Sequence, residues 1–267
     1  MEDDRGAGQG ADRSVAPIVS MRGIVKRFGG AVALGGVDLD AHAGEVLAIV
    51  GDNGAGKSTL IKILTGVLKP TEGRILVDGE AVALNGRSHA IELGIDAVYQ
   101  TLALAGDLTP AANIFYGNEL TKSVLGIPIL DNARMQDEAA KVLFERFGTR
   151  LPDMYAPTDS LSGGQRQAVA IARAIYHADL RVLVMDEPTA ALGPQETART
   201  LTLIKALREQ GLAVLLISHS LDDVFDVADR IQIMRRGQRV GVVRVDETTT
   251  EDVLGMIVGA KAEGAAA

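Results

Sequence analysis

At 267 residues, 47% of them hydrophobic, the chain has ample core for one large domain or one domain with a subdomain. Its net charge of −8 argues against DNA or RNA as the main partner, because phosphate backbones select for basic surfaces. Without cysteine, disulfides and thiolate metal sites are excluded, and no apolar run reaches the roughly 18–20 residues that span a bilayer.

The acidic, glycine-rich start lacks the basic and apolar parts of a secretory signal. Residues 1–16 read as a disordered tail, and residues 259–267 as a second. Val19, Met21 and Val25, then Val37, Leu39 and Ala41, alternate with polar positions and are interrupted at Gly29-Gly30 and Ala43-Gly44. That pattern predicts short antiparallel strands with half-buried faces. Val46–Val50 is an apolar run with the length of a buried strand. Gly51, Asp52, Asn53, Gly54, Ala55, Gly56, Lys57, Ser58 and Thr59 follow, the full phosphate-loop pattern G-x-x-x-x-G-K-[ST] between a strand and a helix. Its glycines allow backbone N–H groups to surround phosphates, and the helix N-terminus adds partial positive charge. Lys57 is expected on the outer phosphates and the Ser58 hydroxyl on Mg²⁺.

The next helix is expected to run to about Gly66. Lys69-Pro70 and Glu72-Gly73 read as a turn, 75–77 as a strand and Asp78-Gly79 as a tight turn. From about 101 to 178 the pattern becomes helical. Thr109-Pro110 is a helix start, and Met135, Ala139, Val142, Leu143 and Phe147 share one helical face. Ser162 caps a further helix that runs to about Ala178. Alternation of strands and helices then returns: a strand over 181–185, a helix from Pro194 to Gly211, a strand over 212–217, a helix over 221–228, a strand over 231–235 and a helix over 248–258. The layout predicts a mostly parallel sheet with an inserted helical block.

Two further segments carry chemistry. RVLVMDE ends an apolar strand in Asp186 and Glu187, where ligands of a doubly wound sheet bind. Asp186 there can hold Mg²⁺, and Glu187 can orient and deprotonate an attacking water. LSGGQ, residues Leu161, Ser162, Gly163, Gly164 and Gln165, opens a helix with bare N–H groups and forms a second anion site.

LSGGQ, the VLVMDEP strand and the upstream phosphate loop together resemble the ATP-binding-cassette ATPase family over about residues 18–258. The resemblance implies an α/β fold, a P-loop NTPase core with a mostly parallel sheet, an N-terminal antiparallel β subdomain and an inserted α-helical subdomain. It implies that Phe28 stacks on adenine, that Gln100 contacts Mg²⁺ and links the subdomains, and that His219 senses the γ-phosphate. Ser162, Gly163 and Gly164 are then expected on the γ-phosphate bound to a second copy. One position departs from the family: Gly193 in TAALG stands where an interface aspartate is usual.

Within the family, GDNGAGKSTLIKILTG, LTPAANIFYGNEL and SLDDVFDVADRIQIMRRGQRVG look like ATPases of monosaccharide importers of the ribose, xylose and fructose type. That likeness implies ATP and Mg²⁺ and a homodimer of cassettes. It also implies membrane permease subunits, a periplasmic sugar-binding protein acting indirectly, no nucleic-acid partner, and a peripheral location on the cytoplasmic face of the inner membrane. A different cargo, or export, is the main alternative. A soluble DNA-maintenance ATPase is disfavoured by the lack of a coiled-coil or zinc insertion. A non-catalytic nucleotide sensor is disfavoured by Glu187 and His219.

Overall fold

The computed structural model describes residues 16–176, 179–190 and 192–260. The chain enters as an antiparallel pair, β1 (Val19–Phe28) and β2 (Ala31–Ala41), closed at Gly29-Gly30. These strands run 10 and 11 residues, longer than the broken alternation predicts, because bulges along β1 absorb the breaks without ending the ladder. β3 (Val46–Val50) and α1 (Lys57–Leu64) follow as expected. β4 (Glu72–Val77) returns to pair with β1, and β5 (Glu80–Val82) folds back on it. Asp78 and Gly79 make that tight turn at φ 52° and 82°. The turn expected at Glu72-Gly73 is instead the start of β4. Gly73 has φ 95° and lies in a register shift, where a side chain would come within 2.5 Å of the Gly23 carbonyl oxygen.

α2 (Arg87–Glu92) and β6 (Ile95–Val98) come next, neither of them announced by the apolar pattern. α3 (Pro110–Ile114) opens with Thr109 Oγ1 accepting the Ala112 N–H at 3.2 Å. The stretch expected to be helical also contains an exposed hairpin, β7 (Thr121–Val124) and β8 (Ile127–Leu130). Leu125 and Gly126, both at positive φ, form its turn. α4 (Asn132–Phe147) buries Met135, Ala139 and Leu143, with Val142 and Phe147 against the same cluster, as the spacing predicts. α5 (Gly163–Tyr176) follows Ser162. Its expected end at Ala178 and most of both expected tails lie outside the described residues.

β9 (Val182–Asp186), α6 (Pro194–Glu209), β10 (Ala213–Ile217), α7 (Leu221–Val227) and β11 (Arg230–Arg235) match the predicted alternation to within a residue or two. β12 (Gln238–Arg244) adds an unforeseen strand, and α8 (Thr250–Val258) closes on a capping box between Thr249 and Asp252.

The strands form two principal sheets. One has the order β2-β1-β4-β5 and is antiparallel. The other has the order β12-β11-β3-β10-β9-β6 and is parallel except for β12. Successive side chains of its central strands enter different cores, as strand geometry requires. Leu47, Ile49, Val182, Val184 and Leu215 pack with α1 and the antiparallel sheet. Ala48, Val50, Leu183, Met185 and Leu216 pack on the opposite face with α5, α6 and α7. Because β3, β9 and β10 are adjacent and parallel, their C-terminal ends meet at one edge. A third core joins α3, α4 and α5.

Candidate nucleotide site

The loop between β3 and α1 is shaped by close backbone approaches. Gly51 has φ 146°, and a Cβ there would collide with the Met234 carbonyl oxygen. Gly56, at φ 101°, is the N-cap of α1, and a Cβ on it would lie 2.7 Å from Leu34 Cδ2 and 2.9 Å from the Ala33 carbonyl oxygen. β2 and the β11–β12 turn therefore brace the loop from behind; Gly237 also donates its N–H to the Ala55 carbonyl at 3.0 Å. On the open side Asp52, Asn53, Gly54 and Ser58 are exposed, Thr59 is half-buried, and Ala55 is buried as an anchor.

Lys57 folds back over the loop. Its Nζ donates to the Gly51 carbonyl at 2.5 Å and to the Asp52 carbonyl at 3.1 Å. Burial holds its pKa below the usual lysine range, against the pull of Glu187, Asp186 and Asp52. An ammonium kept near backbone carbonyls and carboxylates, in a loop rich in N–H donors, is ready for a multiply charged anion.

Asp186 is the last residue of β9, and Glu187 continues from it at φ 54°, a left-handed conformation for a non-glycine residue. Such strain costs of order 1–3 kcal/mol and persists only where the surroundings impose it. Here the Glu187 N–H donates to the Ile217 carbonyl of β10 at 2.9 Å. That bond turns the Glu187 side chain to His219, two residues beyond β10: His219 Nδ1 and Glu187 Oε2 are 2.6 Å apart. Burial, and then the negative charge of Glu187, raise the Asp186 pKa, while Lys57 and Lys62 oppose the shift.

Gln100, two residues beyond β6, is exposed and lines a cavity of about 260 Å³ together with Asp186, Glu187, Gly163 and Leu192. Ser58, Gln100 and Asp186 offer a hydroxyl, an amide and a carboxylate. This all-oxygen donor set suits Mg²⁺, which commonly takes one or two protein carboxylates and leaves other positions to phosphates and water. The crowded charge of Asp186 and Glu187 is a further fit, because a cation relieves it.

Phe28 ends β1 and is 49% exposed, so it is not a core residue. Lys26 Nζ stands 5.2 Å from the ring centroid. Leu161 is buried and anchors the start of α5, and Ser162 and Gln165 cap each other: the Gln165 N–H donates to Ser162 Oγ at 3.3 Å, and the Ser162 N–H to Gln165 Oε1 at 2.9 Å. Glu196 of α6 lies across the same turn and accepts the Gly164 N–H at 3.2 Å. Hydrogen bonding from Ser162 and Gly164 lowers its carboxyl pKa. Gly193 is the N-cap of α6, exposed, with nothing near the position of a Cβ.

The structure thus gathers Lys57, Gln100, Asp186, Glu187 and His219 at one sheet edge. It leaves Ser162 exposed at a helix end already capped from within the chain. Two residues that a reading along the sequence passes over also bear on the site: Glu196, which covers the Gly164 amide, and Arg173 of α5, which holds the loop after Gln100. No local pattern reveals either, since their partners are 32 and 70 or more residues away.

Known proteins resemble the chain throughout. The family model described as ABC transporter matches residues 34–190. The fructose import ATP-binding protein FrcA of Rhizobium meliloti is 43% identical, over 92% of this chain and 95% of that protein. The xylose/arabinose import ATP-binding protein XylG of Sulfolobus acidocaldarius is 41% identical, over 90% of this chain and 93% of the relative. The ribose import ATP-binding protein RbsA 1 of Burkholderia thailandensis is 44% identical over 92% of this chain, which spans 47% of that longer relative. Among solved structures, MJ1267, an ATP-binding cassette of an ABC transporter, superposes with a TM-score of 0.77 at 29% identity, covering 91% of this chain and 98% of that one. A dimeric post-hydrolysis cassette, MJ0796 bound to ADP and Pi, superposes with a TM-score of 0.71 at 25% identity, covering 85% of this chain and 98% of that one.

Proposed function

Since the chain belongs to the ABC transporter family, we propose that it is the ATP-hydrolysing subunit of a monosaccharide importer, working as a pair of cassettes on the cytoplasmic face of a membrane permease. The observation that carries the catalytic part is the meeting of Lys57, Asp186, Glu187 and His219 where β3, β9 and β10 end. The cargo reading is supported by relatives named for fructose and xylose/arabinose import that match over nine-tenths of both chains. Among the described residues no helix is long and apolar enough to cross a membrane. Permease subunits, which the import names of the relatives support, carry the sugar across. A periplasmic sugar-binding protein delivers the cargo to them.

Each residue then has a task. Phe28 stacks on adenine. The amides of residues 51–59 and Lys57 surround the phosphates and neutralise their charge. Ser58, Gln100 and Asp186 would hold Mg²⁺, which would supply positive charge against the phosphoryl oxygens. Glu187 accepts a proton from the attacking water. His219 holds Glu187 through the 2.6 Å contact and faces the γ-phosphate. Leu161, Ser162, Gly163, Gly164 and Gln165 complete the site of a second copy, their helix N-terminus meeting its γ-phosphate.

Uptake tests the proposal. Cells lacking the chain are supplied with the wild type or with Glu187→Gln and assayed with labelled ribose, xylose, fructose and an amino acid. Uptake of at least one sugar should return only with the wild type, and amino-acid uptake should be indifferent to both. Restored amino-acid uptake, or restored export, would overturn the cargo assignment.

A further inference from the structure

Residues 99–103 run from the end of β6 toward the helices of the third core, and Tyr99, Gln100, Thr101 and Leu102 line the cavity that holds Asp186 and Glu187. This segment is tied down at both ends. The Tyr99 hydroxyl lies 2.9 Å from Thr65 Oγ1 at the C-cap of α1, the helix that begins at the phosphate loop. Arg87 stands over the Tyr99 ring, 6.0 Å from its centroid. At the other end Arg173, in α5, donates to the Ala103 carbonyl at 2.7 Å and to the Leu102 carbonyl at 3.0 Å.

The two residues that Arg173 grips are both strained. Leu102 has φ 53° and Ala103 has φ 47°, consecutive left-handed conformations without a glycine. Strain of this kind persists only where the surroundings impose it. Two backbone bonds close the turn, from the Leu102 N–H to the Tyr99 carbonyl at 2.8 Å and from the Ala103 N–H to the Thr101 carbonyl at 2.6 Å. The fork of the Arg173 guanidinium adds a constraint from outside the segment, because it requires the carbonyls of residues 102 and 103 to point the same way. Arg173 is itself half-buried on α5, and its charge needs acceptors there, which these carbonyls provide.

We propose that Arg173 is a positioning residue for Gln100. It holds residues 99–103 in the strained form that presents Gln100 to the cavity beside Asp186 and Glu187. α5 begins at the LSGGQ segment, so the clamp also makes the Gln100 loop and that helix move as one body. The inference rests on the reading of Gln100 as a Mg²⁺ ligand; Arg173 touches neither nucleotide nor metal.

The test measures ATP turnover against Mg²⁺ concentration at saturating ATP, alongside ATP affinity without Mg²⁺ and melting temperature. Arg173→Met keeps the aliphatic stem but removes the fork. It should raise the half-saturating Mg²⁺ concentration about tenfold and leave metal-free ATP affinity unchanged. Arg173→Lys, which can satisfy one carbonyl at a time, should fall between. Ala103→Gly occupies the left-handed region without penalty. Added to Arg173→Met, it should recover a large part of the lost Mg²⁺ response, which a purely structural role for Arg173 does not predict. If Gln100→Ala shifts the Mg²⁺ response but Arg173→Met and Arg173→Lys do not, the clamp is overturned and the Gln100 reading stands. If Gln100→Ala has no effect either, the Gln100 reading falls and takes the inference with it. Loss of turnover that follows melting temperature alone, with no rescue by Ala103→Gly, also overturns it.

Discussion

The two helix starts proposed as anion sites differ in what surrounds them. At α1 the loop from Gly51 to Gly56 is open on one face, and charge is crowded behind it: Lys57 and Asp186 have both been pushed toward their neutral forms by burial. At α5 the same kind of helix end is already satisfied. Ser162 and Gln165 cap each other, and Glu196 takes the Gly164 amide. One end is strained and electrostatically incomplete without a ligand, and the other is a settled cap. The Glu196 carboxylate stabilises the ligand-free chain in the place where an anion would sit. The asymmetry fits two half-sites, each finished by the other copy. On this view Glu196 holds a place that a partner's phosphate takes on closure.

The sharpest way to break this contrast is to disarm the charged end. Glu187 is fixed by the Ile217 carbonyl and by His219, so Glu187→Gln should keep its place and lose its basicity. General-base assistance contributes roughly 10²–10⁴ in rate, and turnover should drop by about that factor. ATP binding should persist, because Lys57 and the loop amides are untouched, and the variant should accumulate as an ATP-bound dimer on sizing. Near wild-type phosphate release would remove Glu187 from its role and transfer attention to His219.

The capped end should respond differently. Ser162 is exposed and belongs, on the proposed reading, to the partner's nucleotide. Ser162→Arg should therefore leave ATP affinity of the monomer within about twofold while turnover falls at least about a hundredfold, the lower bound set by loss of correctly assembled acid–base chemistry. Turnover of the wild type should rise with the square of protein concentration at low concentration. First-order turnover that ignores Ser162→Arg would dissolve the contrast, since one copy would then suffice.

Much of this is legible in the sequence, and the reasons are local. The phosphate loop and the carboxylate pair each follow a strand whose period is unambiguous, so their positions at the sheet edge follow from topology, and LSGGQ is marked by the serine cap of the helix it opens. The misses are equally particular. β6 is four residues long, and its apolar run is interrupted by Asp96, which survives burial because Arg87 donates to it at 3.0 Å. β12 carries Gly241 and several polar residues, as suits an edge strand. The β7–β8 hairpin turns at Leu125-Gly126, where leucine is an unusual occupant of a left-handed position. Glu72-Gly73 resembles a turn because glycine at positive φ serves turns and bulges alike. The Glu196 cap and the Arg173 clamp depend on side chains from remote segments and leave no local trace.

A moderate effect is expected at the base. Phe28 is half exposed, with Lys26 near one face of its ring. Stacking of a base on an aromatic is worth roughly 1–3 kcal/mol, so Phe28→Ala should weaken ATP binding about tenfold or more with little change in melting temperature. Titration with ATP and with GTP should show loose base selection in the wild type, because the ring offers no hydrogen-bonding edge. Unchanged affinity would mark the ring as an idle surface.

The smallest expected effect is on stability, and it isolates the electrostatic half of the comparison. Burial and the neighbouring Glu187 raise the Asp186 pKa above its usual value of 3.8. A carboxyl with a raised folded pKa is held more easily when neutral, so its ionisation weakens the fold. The penalty is absent below the unfolded value, enters as pH rises toward the folded pKa, and is complete above it. Asp186→Asn removes the charge and keeps the shape. Without nucleotide, it should therefore raise the melting temperature at pH 7 by about 1–3 °C, a small shift for a chain of this size, and change nothing near pH 3.5. Glu187→Gln removes the second cause of the same shift and should act in the same direction. Adding ATP and Mg²⁺ should reverse the order. The wild type then gains more, because its carboxylate meets a cation and the penalty becomes an attraction, while the amide of the variant offers only a neutral oxygen. Differential scanning calorimetry at two pH values, with and without ligand, separates these cases. Asp186→Asn melting below the wild type in the ligand-free protein at pH 7 would show that the charged end of the molecule is not strained by its carboxylates, and the contrast with the settled α5 cap would lose its physical basis.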